Sequence, residues 1–117
     1  VQTCALPISG TSSAALRNRV CAAREIQQQR FKQTGVSKHC WNARMSSREI
    51  RQHCQLEKHA AELLRTAVST LGFSARAHDK VLRVARTIAD LAQSEEILTE
   101  HISEAVQYRL LDRKLWT

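Results

Sequence analysis

The sequence predicts an all-α fold: a small helical bundle with a long N-terminal helix. Three observations carry this. Only three glycines and one proline interrupt 117 residues, while Ala, Leu, Arg, Gln and Glu are frequent. Apolar residues recur at helical rather than alternating spacing along most of the chain. Small polar residues precede the apolar stripes, and glycines come after two of them, where helices start and stop. Aromatic residues make up 4% of the chain, so the core must be built from Leu, Ile, Val and Ala.

Residues 1–8, "VQTCALPI", stand apart from the rest of the chain. They hold the only proline and show no helical period. They resemble the translation of a sequencing-adaptor oligonucleotide and are set aside as an artefact; a frayed natural N-terminus is the alternative. The first helix is expected from about Ser13 to Lys32, with cap candidates in "GTSS". Leu16, Val20, Ala23 and Ile26 or Gln27 share one stripe, which Phe31 closes. Arg17, Arg19, Arg24, Glu25 and Arg30 occupy the other faces. Residues 32–45 read as an irregular link, with Gly35 able to stop the helix and Asn42 suited to a turn. Residues 9–45 therefore form a linker helix and loop, an outlying arm beside a bundle of residues 46–117.

The bundle should hold four helices joined by short loops. Ser46 and Glu49 have capping-box spacing, so a short second helix runs to about Cys54, anchored by Ile50. A third helix spans roughly Glu57 to Leu71. Its inward face is Ala60, Leu64, Ala67, Val68 and Leu71, and Gly72 ends it. A fourth starts after Ser74. Its Ala77, Val81, Val84, Ala85, Ile88, Leu91 and Ala92 fall within about 120° of arc, a single core-facing stripe. "QSEE" breaks that pattern. The fifth begins near Thr99, taken as its cap, packs through Ile102, Ala105 and Val106, and extends into "YRLLDRKLWT".

The net charge is +7, from 18 basic and 11 acidic residues, which suits an anionic partner or simply a solvated basic surface. No apolar run approaches the roughly 20 residues of a membrane span. The four cysteines form no dense disulfide pattern and no secretory segment precedes them, so reduced thiols and a cytoplasmic setting are expected. There is no GxxxxGK[ST] phosphate loop and no G-x-S-x-G elbow, so nothing forms a complete active site. "HC" occurs twice, offering His39, Cys40, His53 and Cys54 as zinc ligands. Their spacing matches no standard finger. Loop polarity and a buried thiol explain them as well, and no metal is assigned.

One residue runs against its local electrostatics. With Ser74 as N-cap, Arg76 stands in the first turn of the fourth helix, at the positive end of the helix dipole. That placement costs a few tenths of a kcal/mol on its own. Arg76, Lys80 and Arg83 share a stripe bordering the apolar face, and free backbone N–H groups point from the same helix end. An arginine, a lysine one turn on and a helix N-terminus together suit a phosphate, which the planar guanidinium can grip through two oxygens. An exposed arginine paired with Asp79, three residues on, or with a neighbouring carboxylate is the competing reading.

The segment "LGFSARAHDKVLRVARTIADLAQSEEILTEHISEAVQYRLLDRKLW" closely resembles the C-terminal domain of magnesium-chelatase-like AAA+ ATPases of the ComM/YifB type. "SSAALRNRVCAAREIQQQRF" and "NARMSSREIRQHCQL" are similar to the stretch just upstream, so the resemblance covers residues 9–117. It implies an AAA+ helical lid that comes after an α/β ATPase core. It implies ATP and Mg²⁺ as cofactors of the longer protein, a homo-oligomeric ring of hexameric type, and DNA as the substrate of a branch-migration motor in natural transformation. The arginine of "SARA" matches the sensor-2 position of such lids, so Arg76 inherits contact with the ATP γ-phosphate, with Ser74 and Lys80 beside it. The phosphate loop, acidic magnesium site, sensor 1 and arginine finger of the family are absent here. The chain alone is therefore expected not to hydrolyse ATP. "KHCWNARM" departs from the family pattern in placing Trp41 beside Asn42. A free-standing basic DNA-binding module, using helix 1 with Arg109, Arg113 and Lys114, or a protein-interaction bundle, is the alternative.

Overall fold

The computed structural model describes residues 12–34 and 41–116, with side chains described for 12–32 and 41–111. Residues 1–8, Gly35, His39 and Cys40 lie outside the described residues, as do the side chains of Arg113 and Lys114. The described residues are all-α. Helices α1 (Ser13–Thr34), α2 (Ser47–His53), α3 (Lys58–Leu71), α4 (Ala75–Leu91) and α5 (Thr99–Trp116) come in order, with a 3-10 turn at Asn42–Arg44 between the first two. A single isolated bridge pairs Leu56 with Ile97, tying the α2–α3 link to the α4–α5 link.

Local chemistry sets most boundaries. Ser12 Oγ accepts from the Ala15 N–H and opens α1. Ser46 and Glu49 make both halves of a capping box at α2. Glu57 is the N-cap of α3 rather than its first residue, accepting from the His59 N–H. Gly72 ends α3 at φ 69°, the left-handed conformation glycine adopts freely. Ser74 caps α4 through the Ala77 N–H at 3.1 Å. The far end of α4 closes without a glycine. Gln93 takes φ 56°, while its N–H and that of Ser94 donate to the carbonyls of Asp90 and Ala89. At α5 the expected cap is corrected. Thr99 is the first helical residue, and the His101 Nδ1 accepts from the Leu98 N–H at 3.0 Å, the part a Glu or Gln plays in a capping box.

Helix α4 is the axis of the bundle and packs against α1, α2, the 3-10 turn and α5, while α3 packs on α5. This is why one stripe does not describe it. Ala77, Val81 and Ala85 are buried as expected, and Val84 and Ile88 are half-buried, but Ala92 is exposed. A second edge, Leu82, Arg86, Ala89 and Asp90, is also buried. The core joins Phe31, Met45, Ile50, Leu64, Ile97 and Ile102 to the alanines of α3 and α4. Helix α1 contributes to it directly. Its C-terminal half is docked through Ala23, Gln27 and Phe31, whereas Leu16 and Val20 are 47% and 43% exposed.

A buried polar hub holds α1, the 3-10 turn and α4 together. Arg30 forks onto Asp90 at 2.6 and 2.9 Å, and Arg86 approaches the same carboxylate at 3.2 Å. Asn42 donates to Asp90 at 2.8 Å and accepts from Arg30 at 2.9 Å, while its own N–H donates to Gln27. At Trp41 the indole is half-exposed, with the Arg24 guanidinium 5.2 Å above its ring.

Candidate site at the N-terminus of α4

The site is built from one turn of helix and its cap. Ser74 is extended at φ −72°, ψ 168°, which turns its hydroxyl back onto the Ala77 N–H. His78 donates to the Ser74 carbonyl at 2.9 Å. The N–H groups of Ala75 and Arg76 precede the first N–H to donate within the helix, that of His78, so they remain at the open end of the helix. Their partial positive charge makes this end attractive to an anion.

Arg76 is exposed, and its guanidinium makes no hydrogen bond or ion pair among the described residues. The competing reading paired it with Asp79. That carboxylate is engaged elsewhere: Oδ2 accepts from the Ser47 hydroxyl at 3.0 Å, and Oδ1 faces the His78 Nδ1 at 3.4 Å. The packing of α2 beside α4 thus occupies the carboxylate that could have held the arginine.

Lys80, one turn along, is exposed and stands at the rim of a groove of about 230 Å³ between α4 and α5, with Val81, Val84, Ala105, Tyr108 and Arg109. Arg83 belongs elsewhere. Its Nε and Nη2 both donate to the Met45 carbonyl, at 3.0 and 2.8 Å, so it clamps the end of the 3-10 turn. Of the three cations on the stripe, the structure leaves Arg76 and Lys80 presented at the surface and commits Arg83 to the fold.

The hub at the far end of α4, around Asp90, is what sequence reasoning missed. Arg86 spans three carbonyls, those of His53, Ser94 and Glu95, besides Asp90. Burial lowers its pKa, with Asp90 opposing that shift. Burial, then the nearby Arg30, depresses the pKa of His53, whose ring stands edge-on to Phe31. Burial also pushes the Cys54 thiol up to about 11. The four-residue spacing of Arg86 and Asp90 suited an ion pair, but both lie on the face opposite the predicted apolar stripe, so nothing local marked them as buried. Cys54 is buried, which fits a structural thiol, and no metal-binding cluster occurs among the described residues. No helix among them is long and apolar enough to cross a membrane.

Comparison with known proteins adds the wider frame. The family model described as magnesium chelatase, subunit ChlI C-terminal, matches residues 10–109. The uncharacterized protein YifB of Escherichia coli K12 is 46% identical over 108 residues, which is 92% of this chain and 20% of that protein. YifB of Salmonella typhimurium is 42% identical over 106 residues, 91% of this chain and 20% of its own length. The competence protein ComM of Haemophilus influenzae is 39% identical over 106 residues, again 91% of this chain and 19% of its own. The chain thus spans about a fifth of the length of the curated relatives it matches.

Proposed function

We propose that this chain, which belongs to the magnesium chelatase ChlI C-terminal family, is the helical lid of a longer ComM-like AAA+ ATPase and contributes the sensor-2 arginine. In this reading Arg76 reaches across an interdomain cleft to the γ-phosphate of ATP seated on an upstream α/β core. Mg²⁺ is held there too, since the described residues offer no cluster for it. ATP supplies the phosphoanhydride bond that is broken. This chain's part is to sense its terminal phosphate. Arg76 donates to phosphate oxygens while they are present, and the open N–H groups of α4 add to the attraction. Lys80 contributes a second positive charge. After phosphate release the contact is lost and the lid is free to rotate. Such a difference in contact between two states is what a nucleotide-driven motion requires.

The observation that supports this most is the state of Arg76: exposed, without a partner among the described residues, and three residues from a carboxylate already taken. The wider assignment to a cytoplasmic ring-forming motor acting on DNA in transformation is proposed from the kinship, including the name of the competence protein. Arg76→Ala in the full-length polypeptide should lower ATP turnover at least about tenfold, the loss of one charge-assisted contact or more, without disturbing the bundle. Unchanged turnover would remove the assignment. The net charge of +7 supports a second reading, a basic module that binds DNA by itself. Strong binding by the isolated chain, falling steeply with salt, would favour that instead.

A further inference from the structure

Helix α1 carries one stripe along its length, and only half of it is covered. At 100° per residue, Leu16, Val20, Ala23, Gln27 and Phe31 fall within about 80° of arc. Ala23, Gln27 and Phe31 are 3%, 7% and 1% exposed against the bundle. Leu16 and Val20, on the same face, are 47% and 43% exposed. The face passes from buried to bare between Val20 and Ala23, within one turn. Arg17 and Arg19 stand on either side of the bare half, and both are exposed.

We propose that Leu16 and Val20 form the docking face for the segment of polypeptide that precedes this domain in its longer relatives. The proposal rests on the reading above that an upstream domain exists, and it adds where that domain sits. Two observations select this occupant. The bare stripe continues, in register, the interface that α1 already makes with α4, so a neighbour placed there extends a packed surface rather than founding a new one. The matched family domain is a C-terminal one, and about four fifths of each relative's length lies outside the match, so the additional chain joins at this end of α1. A branched apolar pair at the centre with an arginine on each side fits a protein surface with an apolar patch and acidic rim. It offers little to a nucleic acid, whose phosphates the arginines alone would meet.

Cysteine protection tests this. Leu16→Cys is placed in the full-length polypeptide and in the 117-residue chain. Maleimide modification is read peptide by peptide by mass spectrometry. Cys21 is exposed and lies about 140° around α1 from Leu16, so it serves as the internal control. The expected result is modification of residue 16 slowed about tenfold or more in the full-length protein, persisting on dilution to monomers, with Cys21 equally reactive in both. Equal rates at residue 16 in the two proteins overturn the proposal. So does equal protection of Cys21, which means that α1 is enclosed on all sides. Protection lost on dilution assigns the stripe to a second copy, and protection seen only with added duplex DNA assigns it to nucleic acid; either overturns it. A full-length protein whose turnover depends on Arg76 but whose residue 16 stays open would sink the docking face and leave the lid reading intact. As a second measurement, Val20→Asp should lower the melting temperature of the full-length protein and leave that of the 117-residue chain unchanged. A melting temperature unchanged in both counts against the docking.

Discussion

Asp90 is the most demanding single residue in the molecule. Its side chain has no exposure, and the guanidinium groups of Arg30 and Arg86 close on its carboxyl group from two sides. Removing one member of such a group leaves buried charge without a partner. Asp90→Ala should therefore cost about 3–5 kcal/mol of unfolding free energy, read from urea denaturation. His53 gives a second, milder test. Burial and Arg30 hold its pKa below the ordinary value. The unfolded chain therefore binds more protons than the folded one as pH falls past about 6.5, and stability present above that value is lost. Melting temperature should drop between about pH 7 and pH 5, and the drop should shrink in His53→Gln.

Helix ends carry the predictions at the next level up. A Cβ at Gly72 would meet nothing within 4 Å, so Gly72→Ala tests backbone strain alone and should cost about 1 kcal/mol. Gln93 bears that strain at φ 56° already, and Gln93→Gly should stabilise the chain by about 0.5–1 kcal/mol in the same denaturation assay. These ends also show what sequence reveals. Ser46 with Glu49, Ser74 and Gly72 act within three or four residues, and all three boundaries could be read directly. The left-handed turn at Gln93 could not, because no glycine marks it. The hub was hidden for a different reason. Arg86 and Asp90 look like outward-facing charges on an amphipathic helix. Their burial depends on Arg30 and Asn42, which reach Asp90 from 60 and 48 positions away in the chain. The same distance effect hid the docking of α1, whose charged faces read as those of a free arm until Phe31 is seen in the core.

For the molecule as a whole, the bundle draws three of its arginines into the fold and leaves two cations of the α4 stripe at the surface. Arg30, Arg83 and Arg86 are committed to Asp90 and to backbone carbonyls. Arg76 and Lys80 are left at the exposed stripe at the start of α4. Rigid support for an unengaged arginine is what a phosphate sensor needs, since the contact then forms without reorganising the fold. Sequence alone placed Arg76 at that helix end, but the engagement of Asp79 with Ser47 required the packing of α2.

If Arg76 reads the terminal phosphate, its effect must vanish for a nucleotide that lacks one. Binding of a non-hydrolysable ATP analogue and of ADP to the full-length polypeptide, with Arg76 and with Arg76→Ala, separates the two cases. The substitution should weaken the analogue about tenfold or more and leave ADP unchanged. Equal weakening of both nucleotides, or of neither, would contradict a role for Arg76 at the γ-phosphate.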